Sequence, residues 1–346
     1  TLMRSSAASD VYKRQVHTAV LENDYIKAVF LPDFGGRLWS LTDKTTGKNL
    51  LYTNDVIRFS NLSTRNAWFS GGVEWNMGII GHSPLSNDPL FTASGTTDSG
   101  VPFLRMYEYE RIREAEYQMD FWLEEKSRSL NCRMRIVNHT DQVIPMYWWS
   151  NMAVPEYPSG QIIVPAATAY TCKNWEVYKV NVPEVDGNNI FHYESIPDQI
   201  DYFFDIPYEC PKYIANVNKD GYGLLQTSTR RLRARKLFSW GHNEGSDRWQ
   251  HFLTEDAGPY IEIQAGLGKT QYGCLPMAPH TAWEWLEQYG PVQLPQTTSS
   301  QDNCQYIEQH VSSEELERLL QTSASFAHQK AAVVSSGSTH LSLIHI

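Results

Sequence analysis

The chain is 346 residues long with a formal net charge of −10. That length suffices for one large core or two modest ones, and the charge excludes nucleic acid or an anionic membrane as the main partner. Five scattered cysteines without a CxxC pair give no disulfide framework and favour a reducing, cytoplasmic setting; no apolar run is long enough to span a membrane.

Residues 1–15 (TLMRSSAASDVYKRQ) show neither strand alternation nor the apolar core of a signal peptide, and they read as a foreign leader, as does the terminal stretch 341–346. From residue 16 to about 295 the chain reads as strands and turns. Asp24–Leu31 carries Ile26, Ala28 and Phe30 on one face, and Pro32–Gly36 turns into a strand from Arg37 to Leu41. Asp43–Gly47 is a turn before a strand at Leu50–Tyr52. Tyr107–Tyr117 and Leu130–Val137 alternate cleanly, and Asn138–Asp141 turns into Val143–Trp149. Gln161–Val164, Glu176–Val182, Gly223–Gln226, Lys236–Trp240 and Tyr260–Gln264 are further short strands, and Gly241–Trp249 is rich in turn residues. Many short strands with no long helical stripe predict an all-β fold, a large antiparallel sandwich. Gln293–Asn303 reads as a linker. Ser312–Glu315 then offers a capping box before Leu316, Leu319 and Leu320, and so a short helical tail over 296–340 that leads into a helical region beyond this sequence.

The strand Tyr260-Ile-Glu-Ile-Gln264 is the most informative stretch. Alternation puts Ile261 and Ile263 on one face and Tyr260, Glu262 and Gln264 on the other. A carboxylate in mid-strand between β-branched residues predicts a polar sheet face that binds a ligand. The 11 Trp, 19 Tyr and 13 Phe suggest a saccharide as that ligand, because aromatic faces stack on sugars. The competing reading is a buried ion pair of Glu262 with Arg37 or Arg248.

Three segments carry a family resemblance. Leu31-Pro-Asp-Phe-Gly-Gly-Arg37-Leu-Trp39, continuing to Thr46–Tyr52, resembles the opening strands of the galactose mutarotase (aldose 1-epimerase)-like superfamily. Gly71-Gly-Val-Glu74-Trp75-Asn76, running on to Gly81-His82-Ser-Pro84, is similar to the loop that brings polar groups to the sugar site there. The Tyr260–Gln264 strand resembles the one carrying the mutarotase base. Trp240-Gly-His242, Gly245-Ser-Asp247-Arg248-Trp249 and Trp283-Glu284-Trp285 to Tyr289-Gly-Pro291 resemble the bacterial domain of unknown function 5107 family, often followed by tetratricopeptide repeats.

The resemblance implies a mutarotase-like β-supersandwich with a cleft on a concave sheet. It also implies chemistry in which a carboxylate removes the anomeric hydroxyl proton and a histidine protonates the ring oxygen. Glu262 aligns with the base. The position aligned with the histidine, in Met146–Asn151, is Trp149 or a close neighbour, and an indole is no useful proton donor. His82 is a substitute acid. Glu74 is another, and with Glu262 it would form the two-carboxylate arrangement of glycoside hydrolysis. Glu284 and Glu287 are weaker candidates.

Arg37, Trp75, Asn76, Trp149, His242, Asp247, Arg248, Trp249 and Gln264 are candidate sugar contacts. Structural alternatives stand beside several of these and beside the candidate acids: ion pairing for Arg37, a structural role for His242 and Asp247, core for at least half of the tryptophans, loop capping for Glu74 and a turn hydrogen bond for His82. HExxH, paired Cys/His, calcium-loop, GxGxxG and GxSxG patterns are absent, so no metal or cofactor is expected. The expected partner is a mono- or oligosaccharide, bound by an enzyme or by a non-catalytic sensing module coupled to tetratricopeptide repeats.

Overall fold

The computed structural model describes residues 16–58, 68–295 and 300–337; both proposed foreign ends lie outside the described residues. Among these, an eleven-stranded and a nine-stranded sheet, antiparallel at every recorded pairing, stack as a sandwich. The first sheet runs from the N-terminal strands through Val73–Met77, Trp148–Pro155, Tyr260–Gly266, Ala234–Ser239 and Ile200–Phe204. The second is centred on Thr281–Gln293, Leu130–Asn138, Ala115–Trp122 and Pro102–Glu110.

The core between the sheets follows the alternation. Ile26, Ala28 and Phe30 are fully buried, as are Ile261 and Ile263, against Met106, Met119, Phe121 and Met134 from the facing sheet. Burying each large apolar side chain contributes about 1.5–3 kcal/mol. One polar cluster interrupts this layer. The Glu287 carboxylate accepts hydrogen bonds from Ser150 Oγ (2.9 Å), Trp285 Nε1 (3.0 Å), Gln226 Nε2 (3.0 Å) and the Tyr289 hydroxyl (2.6 Å). It therefore ties the two sheets together inside the core. Glu284 lies elsewhere, paired with Arg133, Arg135 and His328.

Three segments differ from expectation. Tyr107–Tyr117 is a hairpin, because the Glu110 carboxylate accepts the backbone N–H groups of Ile112 (2.9 Å) and Arg113 (2.7 Å) and turns the chain. Leu50–Tyr52 is not a strand; the short strand there is Lys48–Asn49. Gly241–Trp249 enters a helix, Glu244–Leu253, whose first turn is capped by Asn243 accepting from the Ser246 N–H (2.9 Å).

The tail is helical earlier than expected, with helices Ser300–His310 and Ser313–Thr322. Ser312 caps the second by accepting from the Glu315 N–H (3.1 Å), but the Glu315 carboxylate turns to Arg318, so the box is half formed. Its apolar stripe is not left bare. Leu316, flanked by the partly buried Leu319 and Leu320, packs with Phe326 and Ala327 of the short helix Ala324–Ala327 on Phe103, Trp122 and Leu286 of the nine-stranded sheet. Arg105, paired with Asp120 (2.6 Å), donates to the Phe326, Ala327 and Gln329 carbonyls and fixes that segment to the sheet. Among the described residues, no helix is long and apolar enough to cross a membrane.

Candidate functional site

The outer face of the eleven-stranded sheet is ordered into rungs by strand register. One rung carries Glu74, Asn151, Gln264, Lys236 and Phe203 on five adjacent strands; the next carries Ala153, Glu262, Phe238 and Asp201. Residues far apart in sequence thus converge on one cavity of about 360 Å3. Its floor includes Glu262, Gln264, Asn151 and Lys236, and its rim includes His82, Trp68, Trp240 and Trp249.

Glu262 is 8% exposed and has no ion-pair partner among the described residues. A chain of hydrogen bonds holds it. Gln264 Nε2 donates to Glu262 Oε2 (2.7 Å), Gln271 Nε2 to Gln264 Oε1 (2.7 Å), and Lys236 Nζ to Gln271 Oε1 (2.6 Å). Lys236 Nζ is also 2.7 Å from Asp201 Oδ1. Burial pushes the Glu262 carboxyl above the usual glutamate range; the charges of His82 and Lys236 oppose this only in part.

The second titrating group is His82. Its Nδ1 is 3.0 Å from Glu74 Oε2 and 3.2 Å from Oε1, which leaves Nε2 as the ring nitrogen for the cavity. Behind Glu74 stands Arg37, with Nη2 3.7 Å from Oε1. Burial alone would lower the imidazole pKa, but the charge and hydrogen bond of Glu74, with the charge of Glu262, outweigh it and raise the value. Glu74 moves the opposite way: burial favours its neutral form, yet His82 and Arg37 hold it below the usual carboxylate range. A proton donor positioned by a carboxylate therefore shares a cleft with a carboxylate of raised basicity, the requirement for general acid–base chemistry.

The model for Domain of unknown function (DUF5107) matches residues 5–283, beginning inside the proposed leader. The chain belongs to the DUF5107 family. A solved TPR-domain containing protein from Parabacteroides distasonis is 27% identical, with a TM-score of 0.73 over 82% of this chain and 48% of its own. The DUF5107 chain thus matches about half the length of that protein. A galactose mutarotase-like protein from Clostridium acetobutylicum (11% identical, TM-score 0.59, 81% of this chain, 96% of its own) shares the fold. So does a putative aldose 1-epimerase from Escherichia coli K12 (12%, TM-score 0.55, 81% and 100%). The expected mutarotase-like β-sandwich is therefore the fold of this DUF5107 chain.

Not every candidate contact reaches the cavity. Trp75 points to the opposite face and packs on Phe121 in the core. Trp149 lies on the cleft side but is 1% exposed: its indole covers Gly266 and meets Phe203 edge-on. A Cβ at residue 266 would lie 2.2 Å from that ring, so glycine is what lets the indole lie flat. Arg37 is enclosed, donating to the Phe69 (2.6 Å) and Gly71 (2.9 Å) carbonyls with its guanidinium over the Phe69 ring. It supports Glu74 and does not pair with Glu262. Gly72 makes this approach possible: its φ is +71°, and a Cβ would meet the Leu38 carbonyl oxygen at 2.5 Å.

Asn76 is buried and accepts from the Ser83 N–H (2.6 Å), which fixes the loop carrying His82. Glu74 sits behind His82 and does not line the cavity. His242 pairs with Glu156 (2.9 Å), and Arg248 with Glu244 (3.2 Å) at the surface. Asp247 is exposed in the first turn of the helix. None of these three lines the cavity: His242 precedes the helix and is held by Glu156, and Asp247 and Arg248 lie on the exposed side of the helix. Trp249 and Gln264 do line it. Sequence reasoning did not single out Lys236, Asp201, Asn151 or Gln271. The alternation Ala-Arg-Lys236-Leu-Phe238-Ser was a usable signal for the first, since it repeats the carboxylate strand's pattern with a cation.

Proposed function

We propose that this DUF5107 chain is a carbohydrate-active protein that binds a saccharide in the cleft and moves protons at its anomeric centre. Glu262 is the base and His82 the acid. In the forward step Glu262 takes the proton from the anomeric hydroxyl and His82 gives one to the ring oxygen. The bond from the anomeric carbon to the ring oxygen breaks and an open-chain aldehyde forms. Reclosure on the other face returns both protons.

The observation that carries this reading is the sharing of one aromatic-rimmed cavity by Glu262 and His82, with His82 oriented by Glu74. It favours ring opening over hydrolysis by two carboxylates, because Glu74 is committed to His82 and Arg37. Fold similarity to a putative aldose 1-epimerase supports a sugar ligand as an analogy only. The test follows anomer equilibration of freshly dissolved sugars by polarimetry or NMR. Glu262→Gln is expected to slow it by about 10²–10⁴-fold, the usual worth of a general base. An unchanged rate would sink the assignment.

One observation favours a second reading, a sugar-sensing module. The resemblance aligns the mutarotase histidine with Trp149 or a close neighbour, and Trp149 there is a buried indole. That reading predicts saturable sugar binding with no anomer exchange by the native protein.

A further inference from the structure

The helix Glu244–Leu253 is firmly held yet leaves two large rings in water. Its Ser246, Gln250 and Leu253 are buried. Gln250 Oε1 accepts the Tyr260 N–H (3.0 Å), and the Leu253 carbonyl accepts from Asn54 Nδ2 (2.6 Å). Trp249 nevertheless stays 40% exposed and Phe252 57% exposed. Three residues apart on a helix, they share one side of it.

These rings continue the cleft. Phe238 stands directly across the strand pairing from Glu262. Trp240 meets Phe238 edge-on (5.0 Å between ring centroids), Trp249 lies nearly parallel to Trp240 (6.5 Å, 22°), and Phe252 meets Trp249 edge-on (5.8 Å). A ramp of four rings therefore climbs from the carboxylate to open solvent on a rigid support. At the opposite side the floor is polar and occupied by the Asp201–Lys236–Gln271–Gln264 chain. An exposed apolar patch continuous with a ligand cleft marks a binding surface, and the exposed Trp249 and Phe252 rings offer aromatic contacts to sugar units beyond the cavity.

We infer that the ligand is a linear oligosaccharide whose reducing-end unit occupies the Glu262–His82 cavity while the following units lie along Trp249 and Phe252. This rests on the reading of the cavity as a sugar site. It excludes a free monosaccharide as the best ligand, which a single enclosed pocket would favour.

The test titrates the full chain calorimetrically with glucose, xylose, mannose and galactose and with their linear di-, tri- and tetrasaccharides. In one series, affinity is expected to rise at least tenfold from the monosaccharide to the trisaccharide. In Trp249→Ala/Phe252→Ala that ratio is expected to fall towards one, and Trp249→Phe is expected to restore part of it. Both residues are substantially exposed, and an unchanged melting temperature will confirm that the variants fold. Monosaccharide binding with no gain for added units, or an unchanged ratio in the double variant, overturns the ramp and leaves the proposed function standing. Heat-silent titrations with every sugar, together with no melting shift, overturn both.

Discussion

Replacing Glu74 with Gln tests the electrostatic logic of the cleft without removing an atom-sized volume. The amide oxygen can still accept from His82 Nδ1, so ring orientation and tautomer persist while the charge is lost. In the native protein that charge favours protonation of both His82 and Glu262. A contacting buried charge shifts a pKa by about 1–3 units, and each unit is 1.36 kcal/mol. Arg37, 3.7 Å from Glu74 in the native protein, keeps its positive charge beside the neutral amide, so the His82 pKa is expected to fall. Glu262 should fall too, by less, since burial dominates its shift. The assay is an NMR titration of the imidazole resonances, with His82 assigned by its disappearance in His82→Gln. Glu262 is followed through the acid limb of anomer exchange. Both titrations moving to lower pH is the expected signature. A His82 value that stays put in Glu74→Gln would refute the assignment of Glu74 as the group that holds it protonated.

The native pH–rate profile should be a bell. Activity is lost as pH falls through the raised Glu262 value and as pH rises through the raised His82 value, so both limbs lie above the ordinary glutamate and histidine ranges. Gly266→Ala should destabilise by about 1–3 kcal/mol in denaturant melts, because its Cβ would overlap the Trp149 ring. Phe326→Ala should cost about 3–5 kcal/mol in the same melts and expose the C-terminal helices to limited proteolysis, since that ring stacks on Phe103 and meets Trp122 edge-on. A Phe326→Ala protein as protease-resistant as the native one would show that Arg105 alone anchors the tail.

The sequence determined the architecture and one half of the site. Period-two alternation fixed which side of Ile26–Leu31 and Tyr260–Gly266 faces the core, because a strand has only two faces and one must be buried. It therefore put Glu262 and Gln264 on the polar face. What alternation cannot carry is which strands lie side by side. The rung of Glu74, Asn151, Gln264, Lys236 and Phe203 joins residues up to 190 positions apart, and only strand pairing brings them together. Nor does alternation tell an open position on a face from a covered one. Trp149 and Asn151 share the cleft side, yet Phe203 and the bare backbone at Gly266 bury the first while the second lines the cavity. The helix that aims Trp249 is ten residues long, too short to announce itself by a stripe, and its hold comes from Tyr260 and Asn54, distant in sequence. Local periodicity sets faces because it depends on neighbours along the chain. Convergence of the acid, the base and the rings depends on neighbours across it, and the tertiary structure alone decided that.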